Sequence, residues 1–298
     1  MSSPKDYDAL IIGAGPAGLA AATALARACR RVAVFDSQEY RNEGVEEMHN
    51  VVLHDGQKPA SFRTAAVQDI STKYPSVRFF NTAVETAGKL ILATGSKDVF
   101  LDIPGYAELW GKSIVHCLFC DGFERRDRSA GILGLESLHN LPSILMARHM
   151  SSASVTIFLN GQSPDNEKDK EALRVATARG CKVDDRLIRR LSRDPANDGI
   201  IVEFVDGAQS RIGYLLHHPP TVNRASGLIS RLGLQLVQQG VHVQINPEGE
   251  TSVRGCFAAG DTATQWKIVS VALADGSVLP AATSNTRDIS TSQTCIQY

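Results

Sequence analysis

The sequence predicts an α/β protein made of two units in which short buried parallel strands alternate with helices. Three observations carry this expectation. An apolar run, Tyr7 to Ile12, leads straight into Gly13-Ala14-Gly15-Pro16-Ala17-Gly18, then an alanine-rich helical stretch from Leu19 to Ala28 and a second strand, Arg31 to Phe35. Towards the other end, Gly255 to Asp261 reads as a strand delivering a Gly-Asp pair to a turn, ahead of a helical stretch from Ile268 to Ala274. In between, a second strand-and-glycine pattern runs from Ser129 to Ser137 and is followed by another strand, Val155 to Leu159.

The first of these segments has a mechanical reading at each position. Gly13 permits a tight turn, Gly15 lets the backbone approach a pyrophosphate, and Gly18 lets helix pack closely on strand. The helix start then offers free N–H groups and the positive end of its dipole to phosphate. Asp36 closes the second strand, eighteen residues past Gly18. A carboxylate there can accept hydrogen bonds from a ribose diol. Strand, glycines, helix, strand and acid in that order predict a Rossmann-type unit that binds an adenine dinucleotide. They do not by themselves separate FAD from NAD.

Composition narrows the class. The chain has 298 residues, 43% hydrophobic and 21% charged, and 31 basic against 32 acidic residues leave a net charge of -1. No polybasic run points to nucleic acid or to a membrane surface. No segment reads as a signal peptide or as a bilayer span, so a cytoplasmic address is expected. Six cysteines in this length are not a disulfide scaffold. Cys29, Cys181, Cys256 and Cys295 stand alone and read as buried fillers or bystanders. Cys117 and Cys120 form the one C-x-x-C, which in an intracellular α/β protein reads as redox or metal. A structural zinc site needs a second ligand pair at suitable spacing, and none is seen, so no metal is expected.

Taken together, these motifs resemble a known family. Gly255 to Asp261 is similar to the second FAD signature of flavoproteins with two dinucleotide sites, and Leu90 to Gly95, with Thr94 and Gly95, matches their intervening Ala-Thr-Gly strand. The order of FAD fingerprint, Ala-Thr-Gly, C-x-x-C-Asp-Gly and Gly-Asp resembles the low-molecular-weight thioredoxin reductases. The segments Phe35-Asp36-Ser37, Tyr40-Arg41-Asn42, Met48-His49-Asn50, His116 to Glu124 and Ile157 to Gly161 look more like their fungal relatives, the dithiol oxidases that close the disulfide of gliotoxin-type metabolites. The resemblance spans nearly the whole chain. It implies FAD, held by Gly13, Gly15, Gly18, Asp36, Gly260 and Asp261, with Asn42 and His49 lining the site and Lys267-Ile268 near the isoalloxazine. It further implies that Cys120 faces the flavin, Cys117 exchanges with a small-molecule dithiol, and Asp121 serves as acid/base, in a homodimer. For His116 both thiolate modulation and plain packing remain open. The implied FAD domain is split, 1–105 and 238–298, around an inserted domain, 106–237, that carries the cysteine pair.

Two departures bear on function. At the second dinucleotide turn, Gly131 and Gly134 are present, but Leu133 and Glu136 offer no small residue where pyrophosphate should approach. Asn160-Gly161-Gln162 lacks arginines for a 2′-phosphate, so NADPH binding is doubtful. Between Phe80-to-Glu85 and Lys89-to-Gly95 the family's β-meander, about 20 residues of strand and turn, is missing, which predicts exposed apolar surface and weaker FAD retention. The leading expectation is an FAD-dependent dithiol oxidase with O₂ as acceptor. The alternatives are an NADPH-dependent thioredoxin-type disulfide reductase and a flavin-depleted, non-catalytic relative.

Overall fold

The computed structural model describes residues 6–81, 87–134, 141–151, 153–237 and 240–283. Two compact units emerge. The first gathers residues 1–43, 51–98 and 221–298, and the second residues 44–50 and 99–220.

In the first unit, strands β1 (Tyr7–Ile12), β2 (Val32–Phe35), β3 (Val77–Phe80), β4 (Ala87–Leu92) and, from the distal part of the chain, β15 (Cys256–Ala258) form one parallel sheet ordered β15-β4-β1-β2-β3. Registers such as Ile12 with Phe35 and Leu92, and Leu92 with Ala258, bring the carboxyl ends of β1, β2, β4 and β15 to one edge. Helices α1 (Pro16–Arg27), α2 (Pro59–Lys73) and α8 (Val269–Thr283) belong to this unit. One face of the sheet buries Ala9, Ile11, Val34, Ile91 and Phe257 together with Leu19, Leu25 and Leu279 of the helices.

The opposite face answers the expectation of exposed apolar surface. Leu10, Ile12, Phe35, Leu90 and Leu92 are buried there under Ala225, Leu228, Ile229, Leu232, Leu234 and Val243. Helix α7 (Ser226–Arg231) and the segment after it cover the face. The correction has a physical cause: a half-exposed sheet of Leu and Ile would forfeit about 25 cal/mol per Å² of apolar area, and α7 covers that area without the meander. Among the described residues no meander strand stands between β3 and β4, and 82–86 lie outside them.

Domain bounds shift for the same reason. The expected inserted domain, 106–237, included α7, but α7 packs into the first unit. Strand β14 (Thr221–Asn223) pairs antiparallel with β5 (Ser96–Asp98) in that unit as well. Conversely, residues 44–50, expected in the FAD domain, pack with the second unit.

The second unit holds a five-stranded parallel sheet ordered β6 (Ile114–Val115), β13 (Tyr214–Leu216), β7 (Ala130–Leu133), β8 (Val155–Phe158) and β9 (Lys182–Asp184). Helices α5 (Leu141–Met150) and α6 (Glu167–Ala178) add Ile144, Ala147, Ala172 and Ala176 to its core. A three-stranded antiparallel sheet of β10 (Ile188–Arg193), β11 (Ile200–Phe204) and β12 (Gln209–Ile212) covers the other face. At the start of α6 the Asn166 side chain accepts the Asp169 N–H at 2.9 Å, an N-cap worth about 1 kcal/mol. No helix among the described residues is long and apolar enough to cross a membrane.

Candidate functional site

The glycine turn takes the form its residues demand. Gly13 sits at φ 104°, and a β-carbon there would lie 2.4 Å from the Ala93 carbonyl oxygen. A β-carbon at Gly18 would lie 1.9 Å from the Gly13 oxygen. At Gly15, by contrast, a β-carbon would meet nothing within 4 Å. Two glycines therefore serve internal packing, and the third faces open space at the start of α1, where no side chain caps the helix. That is where a pyrophosphate would fit.

Asp36 follows β2 with both carboxylate oxygens engaged. One accepts the Ala14 N–H at 3.3 Å, and the other accepts the Tyr40 hydroxyl. Burial and Asp36 itself push the Tyr40 phenol above its ordinary range, so it stays a donor. Each carboxylate oxygen retains a second acceptor direction for a ribose hydroxyl. The Arg63 guanidinium lies 3.6 Å over the Tyr40 ring and donates to the Asn42 side-chain oxygen at 2.9 Å. Asn42 is thus part of the Asp36 corner.

The two later motifs are tied together. The Thr262 hydroxyl accepts the Gly95 N–H at 2.8 Å and lies 3.2 Å from the Thr94 hydroxyl. Asp261 accepts Ser96 Oγ at 3.1 Å and lies 3.7 Å from Arg41 Nη1, while Arg41 grips Asp98 with contacts of 2.8 to 3.2 Å. Gly260 takes φ 65° to make the turn. Lys267 Nζ donates to the Asp261 carbonyl at 3.3 Å and lies 3.2 Å from His242 Nε2. Burial, helped by Arg41, lowers the Lys267 amine, and Asp261 opposes this. Ile268 follows directly and its carbonyl accepts the Ala272 N–H of α8. Gly13, Asp36, Thr94, Gly95, Gly260 and Asp261 therefore gather at the carboxyl edge of one parallel sheet, the place where such sheets bind ligands. The donor set, with an uncapped helix start beside an open glycine, fits FAD.

In the second unit Cys117 and Cys120 form a disulfide, Cα–Cα 5.3 Å. Cys117 caps the short helix α4 (Leu118–Asp121), its sulfur accepting the Cys120 N–H at 3.2 Å. Phe119, between the two cysteines, is 72% exposed. Burial raises the Asp121 carboxyl above the usual carboxylate range, against the pull of Arg125 and His49. His116 stacks on Trp110 with ring centres 5.9 Å apart. His49 belongs to this second unit, and its Nε2 lies 3.8 Å from Glu124.

The second dinucleotide turn corrects two assignments. Leu133 is the last, fully buried residue of β7, not part of a loop. Gly131 lies inside the strand, where a β-carbon would sit 2.5 Å from Ile212 and 2.7 Å from Leu215, so it serves the core. Gly134, at φ 79°, stands where Gly13 stands in the first unit, and Glu136 lies outside the described residues. After β8, Asn160 accepts the Ile188 N–H at 2.8 Å. Arg186 pairs with Asp184 and stacks 3.9 Å over Phe204, on a stretch whose Leu187, Arg189 and Arg190 are exposed and whose Ile188 is buried. Among the lone cysteines, Cys181 and Cys256 are buried and Cys29 is exposed, and Cys295 lies outside the described residues.

Residues 7–138 match the family described as pyridine nucleotide-disulphide oxidoreductase. The thioredoxin reductase tcpT of Claviceps purpurea (strain 20.1) is 39% identical over 302 residues, covering 93% of each chain. The chain belongs to this family of oxidoreductases. Thioredoxin reductase sirT of Leptosphaeria maculans is 36% identical over 303 residues, covering 92% of each chain. The crystal structure of an oxidoreductase from Agrobacterium tumefaciens superposes with TM-score 0.82 at 28% identity, over 93% of this chain and 97% of that one. Membership implies a flavin cofactor and makes the protein a thioredoxin reductase-like oxidoreductase. Sequence reasoning missed Arg41, Asp98, Thr262, His242, Glu124 and Arg125 as site neighbours. Only Arg41 and Glu124 stood inside quoted motifs, and the rest carry no local signal.

Proposed function

We propose that the protein is an FAD-dependent dithiol oxidase that closes a disulfide in a small-molecule dithiol of fungal secondary metabolism, with O₂ as terminal acceptor. The observation that carries this reading is the Cys117–Cys120 disulfide, half-buried at the short helix α4, with the half-buried carboxyl of Asp121 directly after it. A substrate thiolate attacks Cys117 Sγ, the Cys117–Cys120 bond breaks, and Cys120 leaves with its electron pair. Asp121, whose carboxyl burial shifts towards the protonated form, gives Cys120 its proton. The second substrate thiol, once deprotonated, attacks the substrate sulfur of the mixed disulfide, and Cys117 leaves as a thiolate steadied by the Cys120 N–H. The substrate departs as a disulfide, and its two electrons stay on the cysteine pair. Bound FAD, held by Gly15, Asp36, Gly260 and Asp261, would supply the two-electron acceptor that restores the enzyme disulfide, with O₂ as the final sink.

Engagement of Asn160 by Ile188, and of Arg186 by Asp184, supports oxidase over reductase, because neither residue is left to grip a 2′-phosphate. The fungal sources of the relatives support the metabolic setting. A second reading, NADPH-dependent disulfide reduction, is favoured by the relatives' name, thioredoxin reductase. An oxygen electrode separates the two. The oxidase consumes O₂ on addition of dithiol alone, with no response to NADPH. NADPH oxidation in step with disulfide reduction would reverse the assignment.

A further inference from the structure

A lysine is ordinarily a solvated, mobile charge, yet Lys267 is half-buried and held from three sides. Its Nζ lies 3.2 Å from His242 Nε2, 3.3 Å from the Asp261 carbonyl oxygen and 3.4 Å from the Thr264 carbonyl oxygen. An ammonium has three N–H donors and no acceptor, so these three neighbours match all of its donors. Burial, joined by Lys267 itself, lowers the His242 imidazole against the pull of Asp261, which favours the neutral form that can accept. His242 is anchored in turn. The Val237 N–H donates to the His242 carbonyl at 3.0 Å, and the N–H of Val243, which is fully buried, donates to the Thr262 carbonyl at 2.9 Å. The imidazole is therefore tied to the same turn, Gly260 to Thr262, that carries Asp261.

Strand order says which part of a dinucleotide this cation faces. Strands β15, β4, β1 and β2 lie side by side, about 4.8 Å from one to the next. Asp36, suited to the ribose, follows β2, and Gly15, open to the pyrophosphate, follows β1. A dinucleotide laid along this edge from Asp36 past Gly15 carries its second half towards the ends of β4 and β15, where Asp261 and Lys267 stand. The charged groups that act on Lys267 there are Asp261, Arg41 and Asp98. Arg41 grips Asp98 and stands 3.7 Å from Asp261. Two cations thus balance two carboxylates, and loss of Lys267 leaves this edge net negative.

We propose that Lys267, positioned by His242, raises the reduction potential of the bound flavin by offsetting the negative charge that two electrons bring. This rests on FAD occupying the first unit and holds for either direction of electron flow. Helix α8 begins at Val269, so the positive end of its dipole adds a field of the same sign.

The test measures the midpoint potential of protein-bound FAD by equilibration with reference dyes, in wild type, Lys267→Gln, Lys267→Arg and His242→Ala, with the FAD dissociation constant alongside. Lys267→Gln is expected to lower the equilibrium constant for flavin reduction roughly tenfold, the order set by one unit charge at a protein site. That is about 30 mV for a two-electron couple. Lys267→Arg should keep most of the potential, and His242→Ala, which leaves the charge but loosens it, should shift it the same way by less. A wild-type potential in Lys267→Gln overturns the proposal even if FAD binds more weakly, since weaker binding alone is what a purely structural lysine gives. If Lys267→Gln retains no FAD, a lowered potential in His242→Ala upholds the proposal and an unchanged one overturns it. Wild type that binds no FAD refutes the cofactor reading and this proposal with it. Flavin reduced by NADPH and not by dithiol would sink the oxidase reading and leave this one standing.

Discussion

At Gly15 a β-carbon would meet open space, whereas at Gly13 and Gly18 it would strike backbone oxygens. Three glycines of one motif therefore separate by experiment. Gly15→Val should leave the apoprotein within about 1 kcal/mol of wild type, as surface changes do, yet weaken FAD binding because the side chain fills the phosphate approach. Gly18→Val should cost several kcal/mol, as forced overpacking against backbone does, and is read by urea unfolding of the apoprotein. Equal destabilisation by both variants would contradict this division of labour. Another residue-scale expectation concerns His218, whose imidazole burial pushes down to about 4. Between that value and about 6.5 the unfolded chain binds the proton and the folded one does not. Stability is fully present above pH 6.5 and falls as pH drops towards 4, by at most ~1.4 kcal/mol per pH unit. His218→Gln should flatten that slope in urea unfolding followed at pH 7 and pH 5.

At the scale of elements, α8 packs against α1 through Gly276, where a β-carbon would lie 2.1 Å from the Ala17 carbonyl oxygen. Gly276→Ala would gain about 1 kcal/mol of helix propensity, but the collision is with backbone, so thermal unfolding should show net destabilisation. Elements with local signatures were legible in advance. Strand β1 occupies Tyr7–Ile12 as read, and Gly13 after it makes the tight turn, at φ 104°. The cover over the sheet face was not legible. Leu228 and Ile229 reach Leu10 and Leu92 across more than a hundred residues of chain, and nothing in Ser226–Arg231 names its partner. The grip of Arg41 on Asp98, 57 residues away, was hidden for the same reason. Motif glycines and cysteines announce themselves through local geometry. Long-range ion pairs and helix docking do not.

Across the whole molecule, the two units have separate cores, and each holds a buried cysteine that reports on it. Cys256 pairs in register with Leu90 in the first unit, its thiol pushed up to about 12 by burial. Cys181 lies in the core of the second unit, its thiol also raised by burial. FAD bound to the first unit stabilises it by mass action, about 2.7 kcal/mol at a hundredfold excess over Kd. Alkylation of Cys256 should then slow up to ~100-fold on adding FAD, with Cys181 little changed and exposed Cys29 reacting throughout. Peptide mass spectrometry reads all three. Equal protection of Cys181 and Cys256 would show that the units open together.

The account's central claim, that Cys117 and Cys120 carry electrons from a dithiol to flavin, is tested most directly by visible absorbance under anaerobic dithiol titration. Purified protein should show oxidised-flavin bands that bleach with dithiol and return on admitting air, without NADPH, and Cys120→Ser should keep the bands but lose the bleaching. A colourless protein that FAD cannot reconstitute, or bands that respond to NADPH and not to dithiol, would contradict it.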